Sequence, residues 1–287
     1  LYLNIFPENV RAKAAENLVQ LVEKNDYKIG TGFPGTPYIL FALADSGHAD
    51  TAFKMLLNTQ CPGWLYEVRV GATTVWERWN SLDENGRISS TGMNSLNHYS
   101  YGAVLEWIFR HVAGIDVTEQ GPGGKMMRIS PKVDYKLGSA SAVYDSASGC
   151  YRCGWQIENG DQITVTVTVP FGAKAQVILP YAPDSVYHDT DNPLFETVEN
   201  GICCVKAGQY TVTYKAASPL KKSYSVDSTL EDLLAEPAIR AFLSNMMEVD
   251  MIPDLAYGLT LRQAAEAFAG GVSAEQAQRL NALLEEF

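Results

Sequence analysis

The sequence predicts a multidomain protein of α and β structure in three consecutive regions. Apolar residues at helical spacing dominate residues 1–117, alternation of apolar and polar residues dominates residues 118–220, and helical spacing returns in residues 221–287. With 287 residues and 46% hydrophobic content, the chain can bury more than one core. We therefore expect a helical region, a β-sandwich and a small helical C-terminal appendage.

Four helices are predicted in the first region. Pro7 followed by Glu8 begins the first helix, which runs to about Asn25 with apolar residues at helical spacing. The other three helices are expected at residues 37–46, 49–58 and 97–112. Four helices of this kind are too few to close an α/α barrel.

Short strands are predicted in the second region. In the clearest one, Asp161–Pro170, the isoleucine and valines face one side and the threonines face the other, as in a half-buried antiparallel strand. The polar turns Glu158–Gly160 and Glu199–Gly201 are hairpin signals. Six further strands are expected at residues 126–129, 140–144, 151–157, 175–179, 202–205 and 210–214. Short strands at this spacing predict an antiparallel β-sandwich.

The third region contains three predicted capping boxes, which begin at Ser228, Thr260 and Ser273 and each precede an amphipathic run. Pro237 begins another helix, and two glycines end the helix before Ser273. From Asp227 onward there are eleven acidic residues and three arginines, a net charge of −8 out of −11 for the chain. We interpret this acidity as a solvated helix surface rather than a binding site.

Composition excludes several classes of function. The net charge of −11 argues against nucleic acid or an anionic membrane as a partner. No apolar run is long enough for a transmembrane helix, and no signal peptide begins the chain. The first residue is not Met and the first seven residues read as the middle of a protein chain, so a fragment or processed product is expected. No phosphate loop, nicotinamide fingerprint or Ser/His/Asp triad is recognisable, so no cofactor is predicted.

The five cysteines do not form a disulfide framework. Cys150 and Cys153 have the spacing of half a zinc site, and Cys203 with Cys204 could supply the rest. Adjacent residues of a strand point to opposite faces, however, so the second pair could hardly hold one metal. We therefore expect free thiols in a reducing, cytoplasmic compartment and no metal site.

The segment Gly71–Asn80 is the most informative part of the chain. It places one carboxylate, Glu77, between Trp76 and Trp79, with Arg78 beside it. Aromatic rings pack against the apolar faces of sugars, and a carboxylate among them can act as a general base. Taken alone, the cluster is equally well explained as a buried ion pair supported by two tryptophans.

The surrounding sequence favours the catalytic interpretation. Together with Gly30–Tyr38, Gly63–Val68 and Ser95–Gly102, this segment resembles the C-terminal half of the catalytic domain of bacterial α-L-rhamnosidases. The resemblance covers residues 1 to about 217, and Asn80 stands where the family usually has Asp. It implies a partial α/α barrel of the six-hairpin type, followed by the β-sandwich that this family carries after its barrel.

The resemblance also implies an activity, which is the inverting hydrolysis that releases terminal L-rhamnose from a rhamnose-containing glycoside or oligosaccharide. Glu77 aligns with the general base, and Arg78 is expected to favour its ionised form. The family's general acid comes from a motif in the missing N-terminal half. The local candidates Glu67, Asp83 and Glu84 do not lie in such a motif, and Asp83 and Glu84 read as an exposed turn. This chain alone is therefore expected to be inactive.

Further residues carry over from the same motifs. His98 matches the family's Asn-His-Tyr, where the imidazole contacts the sugar, although a lone His at a helix start is more often structural. Trp64, Tyr66, Trp76 and Trp79 are the expected walls of the sugar pocket, with a place in the core as the alternative for each ring. In the loop after Gly30, Thr31 and Thr36 are expected to form loop or cap hydrogen bonds.

Two other classes of function stay open. The chain could be a non-catalytic carbohydrate-binding β-sandwich module with a supporting helical region, or a different α/α-barrel enzyme that acts on acidic sugars. The second class usually has a basic pocket, and few cationic residues lie near the motif. Self-association through the incomplete barrel is expected as well, because its helices would leave apolar surface uncovered.

Overall fold

A computed structural model of the chain describes residues 1–189, 191–221, 223–246, 248–253, 256–268, 270–285 and 287. The chain forms two compact units, Leu1–Lys221 and Lys222–Phe287. The first unit contains the helices and the sandwich around one continuous core, and the second is helical. A boundary between helical region and sandwich at residues 117 and 118 stays a prediction. Within the described residues, no helix combines the length and apolar character needed to cross a membrane.

The first region is helical, as predicted. Its regular helices are α1 (Glu8–Lys24), α2 (Thr36–Asp45), α3 (Ala49–Leu56) and α4 (Trp64–Arg69). The first three lie within two residues of their predicted bounds, whereas α4 was missed because six residues are too few to show a period. A further helical run consists of a 3₁₀ turn (Ser100–Ala103), α5 (Val104–Trp107) and a π turn (Ile108–Val112).

That last run begins three residues later than predicted, at Ser100 instead of position 97. The reason is that the preceding residues are held in an extended pairing, in which the backbone N–H of His98 donates to the carbonyl of Val75 at 2.8 Å. The N–H of Glu77 also donates to the carbonyl of Ser95, at 2.9 Å, so residues 95–98 follow residues 75–77 instead of starting the helix. This difference moves His98 from a helix start onto a loop.

The sandwich consists of two sheets with strand orders β1-β2-β6-β8-β7 and β3-β4-β5-β9. All neighbouring strands are antiparallel except the parallel pair β2 and β6. The strands β1 and β7 were not predicted, because three and two residues cannot show an alternation. The strand bounds are β1 Ile115–Val117, β2 Met126–Ile129, β3 Ser139–Ser146, β4 Gly149–Glu158, β5 Gln162–Val169, β6 Lys174–Ile178, β7 Val198–Glu199, β8 Ile202–Val205 and β9 Gly208–Lys215.

The predicted pattern of β5 is confirmed, since its isoleucine and three valines are at most 3% exposed. Both predicted hairpin turns are present. In the first, Asn159 and Gly160 adopt φ angles of 52° and 84°, and in the second Asn200 and Gly201 adopt 51° and 75°. Positive φ at both central residues matches the right-handed twist of the strands, which explains the Asn-Gly pairs.

The cysteines lie as the strand pattern predicted. Cys203 is buried and Cys204 is exposed, so the two side chains point to opposite faces of β8. All five cysteines are free, and burial raises the pKa of Cys153 to about 12 and that of Cys203 to about 11. Among the described residues, no group of three or more His, Cys, Asp or Glu is placed to hold a metal ion.

The sandwich packs against the helical region through a shared core. The indole N–H of Trp155, on β4, donates to the carbonyl of Val112 at 2.7 Å, and Trp155 is 3% exposed. The backbone N–H of Ser130 donates to the carbonyl of Gly114 at 2.8 Å. The end of the last helical run is therefore held firmly on the sandwich, which supports the segments that lead into it.

The second unit contains α6 (Leu230–Leu234), α7 (Pro237–Ser244), α8 (Leu261–Phe268) and α9 (Ala274–Leu284). Two predicted capping boxes are confirmed, because Ser273 with Gln276 and Thr260 with Gln263 exchange side-chain and backbone hydrogen bonds. The first box is displaced by one residue. Thr229 is the N-cap and accepts the Asp232 N–H at 3.1 Å, while the hydroxyl of Ser228 accepts the Ser225 N–H at 3.0 Å.

Deletion of residues 222–287 is expected to leave the β-rich circular dichroism and cooperative unfolding of residues 1–221 intact. The second unit buries its own core, in which Leu230, Leu233 and Ile239 are 0% exposed. Thermal unfolding of the truncated and complete chains, followed by circular dichroism, measures this. An insoluble truncated chain would contradict the prediction and would mean that the second unit covers an apolar face of the first.

Candidate active site

The segment that carries Glu77 starts from a well-formed helix end. After α4, Gly71 adopts a φ of +90°, and its N–H donates to the carbonyl of Val68 at 3.0 Å, while the N–H of Ala72 donates to the carbonyl of Glu67 at 2.9 Å. These two bonds form a Schellman motif, which requires a left-handed residue that glycine adopts without strain. The motif turns the chain sharply from α4 into the segment 72–82.

Two buried tryptophans anchor this segment on either side of the carboxylate. Trp76 is 2% exposed and Trp79 is 8% exposed, whereas Glu77 is only half-buried. Burial of a large ring stabilises the position of its backbone, since about 25 cal/mol is gained per Å² of apolar surface removed from water. Glu77 is therefore presented at the surface by a backbone that is fixed before and after it.

A second segment, which carries His98, pairs with the segment that carries Glu77. The N–H of Glu77 donates to the carbonyl of Ser95 at 2.9 Å, the N–H of Ser95 donates to Oε2 of Glu77 at 3.1 Å, and the N–H of His98 donates to the carbonyl of Val75 at 2.8 Å. The segments 75–77 and 95–98 thus run side by side in opposite directions. Two segments separated by about 20 residues in sequence are thus neighbours, and a shared site for Glu77 and His98 stays a prediction.

His98 is held between two aromatic rings. It stacks on Phe33 at a centroid distance of 4.9 Å and on Tyr99 at 5.4 Å, and its Nδ1 accepts the Ser100 N–H at 3.4 Å. With Nδ1 used as an acceptor, the proton of a neutral imidazole belongs on Nε2. That nitrogen can donate a hydrogen bond to a ligand, and the 86% exposed ring of Tyr99 lies beside it.

The loop from Gly30 supplies Phe33, a contact that sequence reasoning missed. The predicted hydrogen bonds of the loop are confirmed: the hydroxyls of Thr31 and Thr36 lie 2.9 Å apart, and the Thr36 hydroxyl donates to the carbonyl of Gly32 at 2.8 Å. They hold the loop in a compact turn at the start of α2. This turn explains how a segment far away in sequence keeps its ring against His98.

A row of rings continues from Phe33 into the core. Phe33 contacts Tyr101 at 5.0 Å, Tyr101 stacks on Trp79 at 3.8 Å, and Trp79 meets the edge of Trp64 at 5.5 Å. The indole N–H of Trp64 donates to the carbonyl of Tyr101 at 2.9 Å. Tyr101 lies inside a motif that the sequence singled out, yet no sequence signal gave it a role.

The four predicted wall residues occupy different positions. Trp64 is half-buried and has part of its ring accessible, whereas Tyr66, Trp76 and Trp79 are 4%, 2% and 8% exposed. The buried rings pack in the interior of this chain, which corresponds to the alternative that sequence analysis left open for each of them. Contact of these rings with a sugar stays a prediction.

The charged side chains that lie near Glu77 in the sequence interact with other groups. The guanidinium of Arg78 donates to the hydroxyl of Thr91 and, at 3.2 Å, to the carbonyl of Gly92, and among the described residues it forms no ion pair with Glu77. The expected effect of Arg78 on the ionised form of Glu77 stays a prediction. Asp83 and Glu84 lie in an exposed turn, as predicted, and Glu84 pairs with Arg69 at 2.6 Å.

Comparison with known families agrees with this architecture. Residues 1–112 match the family model described as the bacterial alpha-L-rhamnosidase 6 hairpin glycosidase domain, and residues 114–192 match the bacterial alpha-L-rhamnosidase C-terminal domain. The helices and the carboxylate-bearing loop therefore define a glycosidase domain of the six-hairpin class, followed by its β domain. Neither family model extends into the second unit.

Individual relatives give the same result. An α-L-rhamnosidase of Streptomyces avermitilis is 36% identical over 209 residues, which are 72% of this chain and 20% of that protein. One from an Alteromonas species is 34% identical over 73% of this chain and 22% of its own length. Residues 1–112 and 114–192 thus correspond to two domains of the bacterial α-L-rhamnosidase family, and the chain spans about a fifth of the length of these relatives.

Solved structures are similar as well. The crystal structure of the Streptomyces avermitilis α-L-rhamnosidase complexed with L-rhamnose superimposes with a TM-score of 0.67 at 35% identity, over 75% of this chain and 21% of that one. The native α-L-rhamnosidase of Aspergillus terreus gives a TM-score of 0.62 at 30% identity, over 74% and 22%. The predicted fold class, a partial six-hairpin barrel followed by a β-sandwich, is confirmed.

Proposed function

We propose that this chain supplies the general-base half of the active site of a longer, inverting α-L-rhamnosidase. The observation that supports the proposal is the backbone pairing of segments 75–77 and 95–98, which joins the segment that carries Glu77 to the segment that carries His98. The similar enzyme of Streptomyces avermitilis was crystallised in complex with L-rhamnose, which supports a rhamnose-containing glycoside as the substrate here.

In this mechanism Glu77 accepts a proton from a water molecule as that water attacks the anomeric carbon. A bond forms between the water oxygen and the anomeric carbon while the bond to the leaving oxygen breaks, and the leaving oxygen takes a proton from a second carboxylic acid. The Nε2–H of His98 donates to a sugar hydroxyl, and the accessible part of Trp64 packs against an apolar face of the sugar.

The second carboxylic acid is assigned to the part of the barrel that this chain does not span. Inverting glycosidases keep their two carboxyl groups about 6.5–9.5 Å apart on opposite faces of the sugar. Among the described residues, Asp83 and Glu84 are committed to an exposed turn, and Glu67 is buried. None of these three is placed to protonate a leaving group in the pocket.

The stereochemistry of the reaction tests the proposal. The complete enzyme should release β-L-rhamnose from an α-L-rhamnoside as the first product, because direct attack by water inverts the anomeric carbon. Proton NMR during the first turnovers distinguishes the two anomers before they equilibrate. Release of the α anomer first would refute an inverting mechanism and the general-base role of Glu77. If the complete protein binds rhamnosides without hydrolysing them, the alternative of a non-catalytic carbohydrate-binding module is favoured.

A further inference from the structure

Glu67 is a buried carboxyl group ten residues before Glu77, and the mechanism above does not use it. It lies on α4 and is only 5% exposed. Its Oε2 accepts the backbone N–H of Trp76 at 3.5 Å, and its Oε1 has no hydrogen-bond partner in the described part of the chain. A buried carboxyl group with one long hydrogen bond is costly to keep, so its presence requires an explanation.

Glu67 holds the segment before Glu77 at both ends. Its backbone carbonyl accepts the N–H of Ala72 at 2.9 Å, and its side chain accepts the N–H of Trp76. The five residues 72–76 are thus attached to a single residue of α4, and Glu77 follows directly. A shift of the Glu67 side chain would move the Trp76 amide and, with it, the carboxylate of Glu77.

The surroundings of Glu67 favour its neutral form. The titratable groups that face it are the thiol of Cys61, from the loop before α4, and the hydroxyl of Tyr101, on which the guanidinium of Arg78 also acts. No ion pair to Glu67 is present among the described residues. Burial raises the pKa of Glu67 to about 7, against a smaller lowering by the Trp76 hydrogen bond. Burial also raises the pKa of both Cys61 and Tyr101.

We propose that Glu67 is a positioning residue, whose buried carboxyl group holds the Trp76 amide and thereby sets the position of the Glu77 carboxylate. Glu67 itself is buried and does not touch substrate. When it ionises, the desolvation cost of a buried charge without a cationic partner exceeds the gain from the Trp76 hydrogen bond, so the site draws in water or the 72–76 segment is displaced. The alkaline limit of activity is then set by Glu67. This inference rests on the proposed function of Glu77.

Two variants of the complete enzyme separate this role from simple packing. Glu67→Gln keeps the acceptor oxygen and cannot ionise, whereas Glu67→Leu keeps the volume and removes the acceptor. The Leu variant should lose about 10²-fold in kcat with KM nearly unchanged, because a displacement of a catalytic group by about 1 Å has that effect. The Gln variant should retain kcat at pH 6 and extend activity to higher pH than the wild type.

A second measurement uses this chain alone and needs no catalysis. The raised pKa means that the folded state binds a proton between pH 4.5 and about 7 that the unfolded state has released, so stability falls as the pH rises through this range. Glu67→Gln removes this dependence. The melting temperature of Glu67→Gln minus that of the wild type should therefore be larger at pH 8 than at pH 5, by at least about 3 °C. Glu84→Gln, in the exposed turn nearby, should show no such change.

The outcomes are distinct. The inference would be overturned if the wild type and Glu67→Gln had the same alkaline limit of activity and the same pH dependence of the melting temperature. An unchanged kcat in a folded Glu67→Leu would overturn it as well. If Glu67→Leu does not fold, the Gln variant alone decides. Loss of activity in Glu77→Gln together with unaffected Glu67 variants would refute the role of Glu67 and leave the proposed function standing. Full activity of Glu77→Gln would overturn both.

Discussion

Glu77→Gln in the complete enzyme should lower kcat by about 10²–10⁴-fold, the contribution typical of general-base catalysis. The amide has the shape of the carboxyl group and keeps an oxygen that can accept the Ser95 N–H, which lies 3.1 Å from Oε2 of Glu77. It cannot take a proton from water. Because the side chain is half-buried and makes no ion pair in the described part of the chain, the melting temperature should change little.

Rates with an aryl α-L-rhamnoside, measured at saturating substrate, test this effect. Glu119→Gln is a matched control, since Glu119 is exposed and lies in a turn between β1 and β2. It should leave kcat unchanged. A loss of tenfold or less in Glu77→Gln would refute the general-base role, and an equal loss in the control would point to a general effect of removed charge.

Much of the fold could be predicted because its longer elements show a clear helical or alternating spacing of apolar residues. The alternation in β5 needs only the residue types, and its apolar face is buried as the pattern indicates. The elements that were missed are short, such as α4 with six residues and β7 with two. Short elements form because neighbouring segments hold them, and a sequence pattern does not contain those neighbours.

The candidate site was less accessible to prediction than the fold. Glu77 and His98 were connected by resemblance to a family, and the physical connection is a backbone pairing between two irregular segments. Pairing between irregular segments produces no regular spacing of residue types that could be recognised in the sequence. The stacking of Phe33 on His98 depends equally on tertiary structure. Glu67 lies on α4, a helix that the sequence did not predict, so its burial and raised pKa could only be found in the structure.

The chain by itself should not hydrolyse rhamnosides. It spans about a fifth of the length of its relatives, and the helices of its described residues are too few for the closed barrel that a six-hairpin domain requires. Without a general acid from the rest of the barrel, the leaving oxygen would take its proton from water. Leu3, Ile5 and Leu21 are also 67%, 78% and 65% exposed, and the predicted self-association of the chain remains to be measured.

An aryl α-L-rhamnoside with a good leaving group gives the most demanding test, because its departure depends least on an acid. The purified chain should show no turnover above background, both as monomer and in any oligomer that light scattering detects at the assay concentration. Turnover that disappears in Glu77→Ala and persists in Glu119→Gln would contradict this expectation. It would mean that a second carboxylate is supplied from within this chain or by an associated copy, and that the site is not half of a longer one.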